Sequence, residues 1–107
     1  MKKPKRSPGA ASIRFDAKTG YPFGVGDKIL IRTVTMYQLG RVVHIGPDSI
    51  TLADASWISD VGRFGKALKE GCDVLNEVEK GPSWVCVGRG AIVDVYPWAH
   101  DLPTESK

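Results

Sequence analysis

The stretch Gly26–Ala55, GDKILIRTVTMYQLGRVVHIGPDSITLADA, decides the fold of this chain. It reads as three consecutive β-strands, Lys28–Thr35, Tyr37–Ile45 and Ser49–Ala55, rich in the β-branched and aromatic types that suit a pleated, half-buried surface. Gly46-Pro47-Asp48 supplies the dihedrals of a short hairpin turn between the second and third. The bend at Thr35 and Met36 lacks a tight-turn dipeptide, so the first two strands read as one long bent ladder with a bulge.

Working outward, the period changes after Ala55. Val61, Phe64, Ala67 and Leu68 share one side of a helical pattern, and Arg63, Lys66, Lys69 and Glu70 share the other. Ser59 or Asp60 is placed to start this helix and Gly71 to stop it, giving an inserted helix of about 60–70. Asp73–Glu79, Trp84–Val87 and Ala91–Tyr96 alternate again as short strands, the last two around Gly88-Arg89-Gly90. The fold class is mainly β: a small barrel of five to six strands with one inserted helix.

Residues 1–20 form a basic flexible arm, 21–98 the barrel, and 99–107 a C-terminal tail that Trp98 and Leu102 pin to the body. Tyr21 and Phe23 plug the barrel end. Within the arm, Ile13 and Phe15 alternate with Arg14 and Asp16 as a short strand or docking peptide would; the alternative is a solvated tail. The chain of 107 residues carries a net charge of +3, unevenly spread. Residues 1–18 hold six bases (Lys2, Lys3, Lys5, Arg6, Arg14 and Lys18) against Asp16, a local +5 that leaves −2 for the other 89. Such an arm on a near-neutral body points to an anionic partner for the arm.

No apolar run reaches the roughly 20 residues of a membrane span, and SPGAAS follows the basic start where a signal peptide would have an apolar region. The expectation is therefore a soluble intracellular protein, not secreted through a signal peptide and with no membrane partner. Cys72 and Cys86 lack the neighbours of a zinc site and read as free thiols, one of them buried in a strand. Nucleophile elbow, phosphate loop and metal-spaced His and carboxylate pairs are all missing. His44 reads as a structural strand residue, Asp54 as a turn cap at a strand end, and Trp98-Ala99-His100-Asp101 as a small docking motif. The expectation is a protein without enzymatic activity, cofactor or metal.

Arg32, Arg41 and Arg89, the last followed by Gly90, carry the functional reading. Guanidinium groups bind phosphate through two parallel hydrogen bonds, and the glycines around Arg89 let a ligand approach the backbone. Tyr37 or Trp57 would stack on a base. The competing reading has each Arg pair with a local Asp or shield a barrel rim, and assigns Trp57 and Trp84 to the core or to subunit contacts.

Two resemblances add expectations. Gly40-Arg41-Val42, Ile45 and Ser49-Ile50-Thr51-Leu52-Ala53-Asp54-Ala55 resemble the first motif of Sm-like (Lsm/Hfq-type) proteins, and Val85-Cys86-Val87-Gly88-Arg89-Gly90-Ala91-Ile92-Val93 is similar to their second. This resemblance implies an SH3/Sm-like barrel, and open barrel edges, which invite strand pairing between subunits, add the expectation of a homo-oligomer. Gly46 and Ser49 stand where the family's RNA-contacting Asp and Asn would, and the helix falls between the motifs instead of before them. ADASWISDVGRFGKAL and VGRGAIVDVYPWAHDLP also look like a family of small uncharacterised phage and bacterial proteins. This second resemblance implies a viral or prophage origin, hence a location in a host cytoplasm or a virion, and the resulting expectation is a phage or prophage binding protein for nucleic acid or a nucleotide. Its alternatives are a virion component laced together by arm and tail, and an inhibitor of a host defence protein.

Overall fold

The computed structural model describes residues 13–107. Six antiparallel strands form one sheet: β1 (Lys28–Thr33), β2 (Tyr37–Ile45), β3 (Ser49–Asp60), β4 (Glu77–Lys80), β5 (Trp84–Gly88) and β6 (Ile92–Pro97). One α-helix, α1 (Phe64–Glu70), lies between β3 and β4, followed by a 3-10 turn over Cys72–Val74. The mainly β domain with an inserted helix is thus the observed architecture. Among the described residues no helix is long and apolar enough to cross a membrane.

The pairing path runs β4-β3-β2-β1-β6, with β5 also on β3. Successive residues Ile29, Leu30 and Ile31 are all buried, so β1 is covered on both faces. Period-2 alternation sorts the sheet accordingly. Ile29, Ile31, Val42, Ile50, Leu52 and Val87 form an inner cluster, on which Tyr21, Phe23, Ile92 and Val95 pack. Because β5 and β6, far apart on the pairing path, both feed this one cluster, the sheet is curled around it as a barrel wall. Leu30, Leu39, Ile58 and Val78 point outward into a second cluster that Ala67 of α1, Leu75 after the 3-10 turn and Trp98 at the start of the tail cover. Each of these large side chains removed from water contributes roughly 1.5–3 kcal/mol.

The curl depends on a bulge in β3. Leu39 pairs with Ser56 and Arg41 with Ala53, so Asp54 and Ala55 together oppose the single residue Gly40. Asp54 takes φ 51°, the left-handed conformation that the first residue adopts in one type of such bulge. Before the bulge β3 pairs with β5, and after it with β4. The strand therefore continues to Asp60 instead of stopping at Ala55, and Asp54 is a mid-strand residue, not a cap at a strand end.

Other boundaries also differ from expectation. Thr33–Met36 is a true reversal, closed by the Thr33 N–H on the Met36 carbonyl at 2.8 Å, so β1 and β2 are a hairpin and not one bent ladder. The helix starts at Phe64, because Gly62 at φ 69° breaks the chain direction and Asp60 accepts the Gly62 N–H instead of capping a helix. Gly71 ends α1 as expected, at φ 90° with its N–H on the Ala67 carbonyl. The strand expected over Asp73–Glu79 shrinks to Glu77–Lys80, since Cys72–Val74 turns to bring Leu75 into the outer cluster. Cys86 is exposed on β5, not buried. Ile13 and Phe15 are exposed and form no strand.

The tail is docked. Trp98 is buried with its indole N–H on the Asp101 carbonyl. His100 Nε2 lies 2.7 Å from the Leu68 carbonyl, which fixes that nitrogen as the donor at the end of α1. Lys107 exchanges both backbone hydrogen bonds with Val78 at 2.9 Å, covering the edge of β4.

Candidate phosphate site

The structure engages each of the three expected arginines within the chain, and at separate places. Arg32 on β1 makes a two-bond ion pair with Asp94 on β6, Nε to Oδ1 at 2.9 Å and Nη2 to Oδ2 at 2.7 Å. That bond holds the Asp94 carboxyl below its ordinary range and raises the guanidinium further. The Tyr96 hydroxyl is pushed up by the same Asp94. Arg89 sits over the Tyr21 ring, 5.0 Å from its centroid, and donates to the Tyr21 hydroxyl and to the Pro47 carbonyl. It pins the hairpin Gly46–Asp48 to the barrel plug. Gly90 lies beside it in a 3-10 turn over Arg89–Ala91, with open space where a Cβ would stand.

Arg41 on β2 is placed differently. Its Nη1 donates to Asp54 Oδ2 at 2.8 Å, a pair created by the β3 bulge. Lys28 of β1 is its cross-strand partner, four positions along β1 from Arg32, or about 13 Å of strand. Lys80 of β4 reaches the same region, and Asp101–Thr104 of the tail form the opposite wall. Together they enclose an open cleft of about 480 Å³ whose charged lining is Lys28, Arg41 and Lys80 against Asp54 and Asp101. Lys28 Nζ donates to the His100 carbonyl and Lys80 Nζ to the Ala55 carbonyl. An ammonium has three donors and a guanidinium five, so each cation keeps donors for a ligand.

The expected stacking residues do not join this cleft. Tyr37 is half-buried in the outer cluster, its ring stacked on Phe64 at 6.2 Å and 27°. Trp57 belongs to the inner face, where it lines a separate groove of about 230 Å³ with Gln38, Glu79, Pro82 and Val85. Of the basic arm, Lys2, Lys3, Lys5 and Arg6 lie outside the described residues, while Arg14 is exposed. Among the described residues no cluster of three potential metal ligands occurs.

Sequence reasoning overlooked Lys28 and Lys80. The only available signal was that Lys28 shares the face of Leu30 by alternation; its partner Arg41, and the arrival of Lys80 beyond the bulge, follow from register alone. No protein-family model, no curated protein and no solved structure matches this chain at a significant level.

Proposed function

We propose that this protein is a non-enzymatic binding module for a phosphate-bearing ligand, a nucleic-acid strand or nucleotide, held in the cleft between the sheet and the tail. The observation that carries the reading is the convergence of Lys28, Arg41 and Lys80, from three different strands, on one open cleft. Asp54 orients Arg41 without consuming it, since the guanidinium bonds the carboxylate through Nη1 alone. Phosphate suits this arrangement: its oxygens accept several charge-assisted hydrogen bonds at once, two of them from a guanidinium edge. The basic segment 1–18 adds long-range attraction for the same ligand class. Of the arginines first expected to bind, Arg41 is the one in the cleft; Arg32 and Arg89 support the scaffold.

Titration of a labelled oligonucleotide at several salt concentrations tests this. Affinity is expected to fall steeply with salt, and each of Arg41→Ala and Lys80→Ala to reduce the salt slope by about 1. Undetectable binding of oligonucleotides and nucleotides at low salt would sink the reading.

One observation favours a second reading, assembly into a homo-oligomer or virion lattice. Among the described residues no backbone hydrogen bond occupies the outer edges of β5 and β6, and Val93 on β6 is exposed. Free edges invite strand pairing between copies. A concentration-independent monomer in light scattering counts against it.

A further inference from the structure

We infer that the outer face of the sheet binds single-stranded nucleic acid, with one base stacked on Trp84 and the adjoining phosphates held by Arg41 and Lys28. The inference rests on the phosphate-binding reading above and adds the ligand class and a contact residue.

The register carries it. Lys28 pairs with Arg41, Arg41 with Ala53, and Ala53 with Trp84, so these four residues form one cross-strand row over β1, β2, β3 and β5. All four lie on the outer face. Leu30 and Leu39, two positions from Lys28 and Arg41, belong to the outer cluster, and Leu52 and Val85, adjacent to Ala53 and Trp84, pack inward. Thr51 and Cys86, two positions further along and alternating with the inward Ile50, Leu52, Val85 and Val87, share that outer face with Oγ1 and Sγ 3.5 Å apart.

Along this row the chemistry changes from cation to aromatic. Trp84 is 62% exposed and belongs to neither apolar cluster. Between it and Arg41 stands Ala53, a small side chain that leaves the space above the sheet open. Two strand spacings, about 10 Å, separate Trp84 from Arg41, a span one nucleotide covers from base to phosphate. An indole on an open face can stack only on a base that is not paired in a duplex, which selects single strands. Lys28 on β1 extends the positive charge past Arg41, where the next phosphate of a strand would lie, and Lys80 reaches the cleft from β4, on the Trp84 side of β3.

The test is fluorescence anisotropy of the full chain with a labelled oligothymidylate and with an equally long abasic strand, both at low salt. Trp84→Ala is expected to weaken the intact strand about 5- to 150-fold, the worth of one stacked base, and to leave the abasic strand unaffected. Trp84→Phe should retain most of the affinity, and Ala53→Leu, which fills the gap, should lose it. If Trp84→Ala binds oligothymidylate as the parent does while Arg41→Ala loses binding, the stacking inference is overturned and the phosphate reading stands. Loss on Trp57→Ala alone would move stacking to the inner face and overturn it as well. A changed sedimentation coefficient for Trp84→Ala with unchanged affinity would make Trp84 a contact between copies, again overturning it. Failure of the parent chain to bind either strand removes the phosphate reading and this inference together.

Discussion

Arg32 and Asp94, sixty-two positions apart in the chain, face each other across the β1–β6 ladder and close a two-bond ion pair on the outer face of the sheet. The pair ties β6 to β1, and so the second half of the chain to the first.

That pair makes stability depend on acid. Because Asp94 has a folded pKa below its ordinary value, its contribution is present above the unfolded carboxyl pKa, about 3.9, and is lost as the pH falls through the folded value. Asp94→Asn is expected to be less stable than the parent at neutral pH, with the two thermal midpoints converging as the pH drops below about 4. Parallel thermal melts at neutral and acid pH measure this. A gap that stays constant would show that the ion pair does not stabilise the fold.

Gly40 is a steric requirement of the bulge. A Cβ there would stand 2.9 Å from Leu52 Cβ and 3.0 Å from the Ala53 carbonyl oxygen, both held by the sheet. Gly40→Ala should destabilise by about 1–3 kcal/mol, as overpacking of a fixed site does. Urea unfolding gives the value, and an unchanged midpoint would mean that the bulge tolerates widening.

Ser56 offers the opposite sign. The residue is 1% exposed, and its buried hydroxyl has no hydrogen-bond partner among the described residues. An unsatisfied buried hydroxyl costs about 1–3 kcal/mol, so Ser56→Ala should be neutral or more stable by up to that amount. A lower urea midpoint for this variant would reveal a bond to water.

The two thiols should react at different rates. Cys86 is exposed, and hydrogen bonds from Ser49 and Thr51 lower its pKa, whereas burial pushes Cys72 up. At mildly alkaline pH a thiol reagent is expected to label Cys86 first, and Thr51→Val to slow it. Mass spectrometry of partly labelled protein decides the order. Modification of Cys72 before Cys86 would contradict the assignment.

Much of the fold could be read locally. The β-branched and aromatic content of Tyr37–Ile45, bounded by Gly46-Pro47-Asp48, marks β2 to the residue, and the helical spacing of Val61, Phe64 and Leu68 identifies the face that α1 buries. Less could be read of the site. Arg32, Arg41 and Arg89 look equivalent in the sequence, each a cation among apolar or glycine neighbours, yet Arg41 alone lines the cleft. Trp57 and Trp84 look equally alike, and the bulge at Asp54 sends them to opposite faces.

The sequence alone determined a mainly β chain with one inserted helix stopped by Gly71, since strand and helix periods and a glycine at φ 90° are local properties. Tertiary structure decided which charges pair and which stay available. Asp94 reaches Arg32, and Lys28 meets Arg41, through cross-strand register. Lys80 enters the same cleft because Asp54 bulges in the middle of β3 and hands that strand from β5 to β4. Register between strands far apart in the chain is fixed by the packing of whole faces, and no window of sequence contains it.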